Sequence, residues 1–185
     1  PFRVLYVGNI GVAQNLETLI KAVGGEDQFE IYLVGDGNRV KFLKKLVSRS
    51  NMSNVKFFGA LEWSDTLAQI EQASCLYGQI GSSFYSAVPS KLYEYLSSGR
   101  SVVFGLADGA AKNLVSDFEN ISVCTPDSPN ELREKLFELK RDTADKTVGT
   151  LKNQNIIQQH HLREKEAQNL VALIKRLANL HTMST

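Results

Sequence analysis

Runs of consecutive apolar residues alternate with stretches whose apolar positions recur every three or four residues. Phe2 to Val7 is apolar almost throughout, the pattern of a parallel strand covered on both faces. It stops at Gly8, and the loop GNIGVAQN leads into a predicted helix from about Leu16 to Val23 with Leu16, Leu19, Ile20 and Val23 inward. Phe29 to Val34 repeats the strand pattern and ends at Gly35-Asp36-Gly37. From about Asn38 to Ser50 the spacing predicts a helix that turns Val40, Leu43, Leu46 and Val47 inward, and Arg39, Lys41, Lys44, Lys45 and Arg49 to water.

Val55 to Phe58 reads as a third strand closed by Gly59, and Ser64 as the cap of a helix running to about Gln72, with Asp65 in its first turn. Cys75 to Ile80 is the fourth strand, followed by a polar and aromatic loop from Gly81 to Val88. A helix from about Ser90 to Ser98, a strand from Ser101 to Leu106, a short helix over Ala110 to Val115 and a strand from Ile121 to Cys124 come next. Thr125 to Pro129 turns into a helix marked by Leu132, Leu136 and Leu139, and about Asp145 to His181 reads as helix with a break near its middle. Strand and helix alternating in this way predict an α/β fold: a Rossmann-like, doubly wound parallel sheet of about six strands with C-terminal helices. Ligands of such a sheet lie outside the carboxyl ends of its strands.

Composition narrows this picture. The 185 residues, 43% of them apolar, suit one domain over 1–185 and leave no room for a second of similar size. A net charge of +1, with basic residues scattered among acids, argues against a nucleic-acid groove but leaves small anions open. No run approaches the roughly eighteen apolar residues of a membrane span. The amino end opens straight into a strand, so no signal peptide is expected and the chain reads as cytoplasmic. A start at Pro1 in strand context suggests a piece of a longer protein. Cys75 and Cys124 lack metal-site or redox spacing and read as reduced core residues, while adjacent His160 and His161 point to different sides of a helix. No metal site is expected.

The stretch with most chemistry is 89–103, PSKLYEYLSSGRSVV. Pro89 suits a first helical turn, and Leu92, Tyr95 and Leu96 share a buried face that Gly99 terminates. Lys91 and Glu94 lie on the other side, beside a helix amino terminus whose N–H groups and dipole favour an anion. Glu94 is placed to accept hydrogen bonds from sugar hydroxyls. The plainer reading is an exposed Lys–Glu pair worth about 0.2–0.5 kcal/mol. Glycines at Gly8, Gly11, Gly35, Gly37 and Gly59 fall at three strand ends, where they either turn the chain or admit a ligand to the backbone. There is no third glycine for a dinucleotide fingerprint, no P-loop and no G-x-S-x-G elbow.

This stretch resembles the donor-site signature Pro-Ser-Lys-Leu-x-Glu-Tyr of the retaining GT-B glycosyltransferases of family four, above all the bacterial surface-polysaccharide and aminosugar transferases. VLYVGNIGVAQNLETLIKA, IYLVGDG and VKFFG are similar to the same enzymes, so the resemblance spans nearly the whole chain. It implies that Gly8, Asn9 and Gly11 lie against a diphosphate and sugar, that Gly35 and Asp36 border the nucleoside, and that Phe58 and Gly59 offer backbone groups to the base. Ser90 and Lys91 would meet phosphate, and Glu94 the ribose, with Lys91 and Glu94 as the catalytic pair. No cofactor is implied: the donor substrate is a nucleotide sugar, with UDP the leading nucleotide, and the acceptor is lipid-linked or a saccharide. The implied partner is an amino-terminal acceptor domain of the same protein, with membrane contact only through that parent, peripheral at the inner membrane, or through a lipid-linked acceptor. Two positions depart from the pattern. Asn9 and Gln14 stand roughly where many members carry arginine and lysine, and Ser86 stands where many carry a second glutamate. The alternatives are a nucleotide-sugar epimerase and a non-catalytic binding module, the latter favoured by Ser86.

Overall fold

Strand β1 (Phe2–Val7) has a parallel partner on each side, which is why its sequence is apolar on both faces. The computed structural model describes residues 1–81, 83, 86–142 and 150–158. The element order is β1, α1 (Glu17–Val23), β2 (Phe29–Val34), α2 (Val40–Arg49), β3 (Val55–Gly59), α3 (Trp63–Gln72), β4 (Cys75–Gln79), α4 (Ser90–Ser97), β5 (Ser101–Gly105), α5 (Ala110–Leu114), β6 (Ile121–Cys124), α6 (Pro129–Asp142) and α7 (Thr150–Ile156). The six strands form one sheet in the order β3-β2-β1-β4-β5-β6, all pairs parallel. This is the doubly wound Rossmann-like arrangement read from the sequence, and its winding reverses between β1 and β4.

Alternate residues of each strand feed two separate cores. Val4 and Tyr6, with Ile31 and Leu33, pack on the side of α1, α2 and α6, where Leu19, Leu43, Leu132 and Leu136 are all buried. Leu5, Tyr32, Leu76, Val102 and Phe104 face the other way, onto α3, α4 and α5, with Leu92, Tyr95, Leu96 and Ala111. Both cysteines are buried and free.

Element ends show where local signals gave way to the fold. Ser64 is not a cap: α3 starts one residue earlier, behind an extended Glu62, and no side chain caps it. Pro89 sits at the cap of α4, with extended backbone, and not within its first turn. α1 begins at Glu17, and α2 begins only at Val40 because residues 35–39 are taken up by the loop after β2. The third strand is an edge strand, so only Val55 of its residues is buried. His160, His161 and the apolar Leu170, Val171, Ile174 and Leu177 lie outside the described residues, as does most of the helix predicted for about Asp145 to His181.

Candidate functional site

β1 and β2 run in register from Phe2 beside Phe29 to Val7 beside Val34, so both end at the same height and their glycine loops meet. Four backbone hydrogen bonds knit the loops together and join them to β3. The Gly8 N–H donates to Val34 O (2.9 Å), Gly35 N–H to Gly59 O (2.6 Å), Ile10 N–H to Asp36 O (2.8 Å) and Arg39 N–H to Ile10 O (3.1 Å). A Cβ on Gly35 would collide with the Gly8 carbonyl, and one on Gly37 with the backbone of Ile10. Positive φ angles at both add a second reason for glycine there. Arg39 also pairs with Glu17, which ties the second loop to the start of α1.

The switch point between β1 and β4 receives α4, and two tyrosines connect that helix to the first loop. Tyr95, buried on α4, accepts from the Val7 N–H (2.9 Å) and donates to the Val7 carbonyl (3.2 Å). Tyr6, fully buried in β1, donates its hydroxyl proton to the Asn9 carbonyl at 2.5 Å and accepts from Lys91 Nζ at 2.8 Å. The same ammonium stands 3.9 Å from the centroid of the Tyr6 ring, a cation–π geometry. It lies over Gly8 so closely that a Cβ at Gly8 would occupy its place. Burial pulls the Lys91 pKa down to about 8, against an upward pull from Glu94 one turn on. Burial also pushes both phenols up, so Tyr6 and Tyr95 stay neutral hydroxyl donors.

Of the residues singled out in the sequence, Gly8, Asn9, Gly35, Asp36, Gly59 and Lys91 come together at the carboxyl ends of β1, β2 and β3. Gly11 leaves room for a weak Asn9 Nδ2 to Gln14 Oε1 contact of 3.4 Å, so the two neutral residues that depart from the expected pattern lie side by side. Asp36 is exposed, and its carboxylate accepts from the Gly37 N–H (2.7 Å). Gly59 has open space around it and a positive φ, so it serves a turn, and its carbonyl is already engaged by Gly35. Phe58 is 37% exposed with its ring 4.9 Å from that of Tyr32. Ser90 and Glu94 are exposed on α4, and Ser86 is exposed in the loop before it. Sequence reading passed over Tyr6 and Tyr95 as core residues. The signal was a hydroxyl inside an otherwise apolar strand, since a buried phenol needs a partner.

The family model for glycosyl transferases group 1 matches residues 1–157. The chain belongs to this family. Its relatives include the putative colanic acid biosynthesis glycosyl transferase WcaI of Escherichia coli K12, 28% identical over 167 residues that cover 84% of this chain and 41% of WcaI. The fold matches HepE (Alr3699) of Anabaena, crystallised with UDP-glucose, at a TM-score of 0.76 and 22% identity over 95% of this chain and 49% of HepE. It also matches the catalytic domain of the Helicobacter pylori cholesterol-α-glucosyltransferase, at a TM-score of 0.64 and 21% identity over 92% of this chain and 99% of that one. The chain thus spans less than half the length of WcaI and of HepE.

Proposed function

We propose that this chain is the donor-binding domain of a retaining glycosyltransferase that holds a UDP-sugar for transfer to a lipid-linked or saccharide acceptor in polysaccharide assembly. The observation that carries the reading is the Lys91 ammonium, set over Gly8 at the switch point and beside the amino end of α4. A diphosphate there meets a cation, a helix amino terminus and the backbone of the glycine loop. Membership of the glycosyl transferase family and the WcaI and HepE matches support the donor class. As the sugar–oxygen bond breaks, negative charge gathers on the departing diphosphate, and Lys91 with the α4 dipole stabilises it. Glu94, exposed one turn further on, holds the ribose hydroxyls. Asp36 and the Phe58–Gly59 turn border the nucleoside and base.

The test is a thermal-shift screen against nucleotides and nucleotide sugars. A ligand bound only by the folded state adds about 2.7 kcal/mol at a hundredfold excess over its Kd, so UDP or a UDP-sugar shifts the melt and purine nucleotides shift it less. Equal shifts with every nucleotide, or with none, sink the assignment. Ser86, where the family resemblance implies an acid, favours a second reading as a binding module without catalysis. Donor binding without turnover by the full parent protein would support that reading.

A further inference from the structure

Gln79 ends β4 at 5% exposure, a carboxamide at the close of a buried strand beside the switch point. Every hydrogen-bonding position of its side chain is used. Oε1 accepts from the Tyr77 hydroxyl (2.9 Å) and the Asp127 N–H (3.2 Å), while Nε2 donates to Asp127 Oδ1 (2.8 Å) and the Asn15 carbonyl (3.3 Å). Asn15 Nδ2 donates to the same Asp127 Oδ1 at 2.7 Å. Gly105 on β5 makes the room, since a Cβ there would press on the Gln79 side chain.

Asn15 (φ 33°) and Asp127 (φ 60°) both hold left-handed backbone, which asparagine and aspartate adopt more readily than other non-glycine residues. Asn15 closes the β1–α1 loop: its N–H donates to Val12 O (3.1 Å), and its carbonyl receives the Thr18 N–H (3.0 Å) as α1 starts. The front of that loop is held by Tyr6 at Asn9 and by Tyr95 at Val7. Its rear is held through Gln79.

We propose that Gln79 is a positioning residue for the nucleotide-sugar donor. By pinning Asn15 to the turn at Asp127, it fixes the rear of the β1–α1 loop and so sets where Asn9 and Gly11 present the backbone to the diphosphate. The proposal rests on the donor reading above. It adds a determinant that touches no ligand.

Gln79→Glu keeps the shape but replaces the donating NH2 with an acceptor that faces Asp127 Oδ1 and the Asn15 carbonyl. The titratable groups around that position are Asp127 on the β6–α6 turn and Tyr77 on β4, with Cys124 on β6 and Tyr6 on β1 beyond Tyr77. Burial pushes Tyr6, Tyr77 and Cys124 upward, so none of these three changes charge below neutrality. Protonating the introduced carboxyl restores one donor toward Asp127. The defect should therefore fade on acidification, which simple loss of packing would not do.

UDP affinity is measured by calorimetry at pH 7.5 and pH 5.5, and amide hydrogen exchange is followed in the same samples. For Gln79→Glu the expected result at pH 7.5 is about tenfold weaker UDP binding and faster exchange across residues 10–18, with β1 and β2 protected as in the wild type; at pH 5.5 the gap narrows. Asp127→Gly, at an exposed residue whose φ suits glycine, removes the carboxylate that Gln79 and Asn15 share and leaves Gln79 its bonds to the Asn15 carbonyl and the residue-127 N–H. It should loosen the same loop with no such pH dependence. Unchanged exchange in residues 10–18 in both variants would overturn the proposal, as would protection lost evenly over the whole sheet. Failure of the wild type to bind UDP would instead remove the donor reading, and the exchange data alone would then decide whether Gln79 holds the loop.

Discussion

Two properties of Lys91 pull against each other: the fold buries its ammonium against Tyr6 and Gly8, and the proposed diphosphate site needs that ammonium charged. Its folded pKa, about 8, lies below the ordinary 10.5, so its charged form destabilises the free domain at all pH below about 8. That cost is relieved as pH rises from about 8 to 10.5, where the unfolded chain still binds the proton and the folded one has lost it. A bound diphosphate reverses the preference and holds the proton. UDP affinity is therefore expected to fall above pH 8, by up to about tenfold per pH unit, with proton uptake on binding visible by calorimetry in buffers of different ionisation enthalpy. Lys91→Arg, which does not titrate in this range, should abolish the pH dependence. Glu94→Ala should leave the melt unchanged, since the side chain is exposed, but weaken UDP binding by about 1.5–3 kcal/mol, the range for hydrogen bonds to a charged group. Calorimetry showing unchanged affinity would return Glu94 to the role of a surface ion.

At the scale of elements, α4 matters because one face fills a core while its amino end lies at the proposed donor site. Leu92 is fully buried next to Lys91, so Leu92→Ala should cost about 2–5 kcal/mol in urea unfolding and weaken UDP binding by disturbing its neighbour. An unchanged unfolding midpoint would show that α4 is not anchored by this face. The strands and this helix were legible because each signal is local: apolar runs for strands covered on both sides, and the Leu92, Tyr95, Leu96 spacing for the helix. Its cap was less legible, since Pro89 fits either the cap or the first turn until the incoming loop is known. Lys91 could be singled out from its motif, but its engagement with Tyr6, 85 positions earlier, depends on β1 and β4 being neighbours. Gln79 was harder still. Its partners lie on two loops in left-handed conformations, which neither periodicity nor propensity encodes.

For the whole molecule, the decisive dimension is length. The chain spans 41% of WcaI and 49% of HepE, and glycosyl transfer needs donor and acceptor oriented together, a contribution worth about 7–11 kcal/mol of the barrier in well-aligned cases. This chain alone is expected to bind donor without transferring sugar. Radiolabelled transfer to crude lipid and saccharide acceptors, run beside the full parent, checks this, and turnover at the parent's rate would overturn it. The interlocked loops after β1 and β2 bear on how such a domain can change its donor over generations. Because the Gly8 carbonyl meets Gly35 where a Cβ would stand, and Ile10 does the same at Gly37, a saturation library selected for folding should return glycine at 35 and 37. Asn9 and Asp36, exposed between those fixed points, should accept many residues. On the proposed donor reading, donor preference can then drift through these two side chains while the main chain beneath them stays the same.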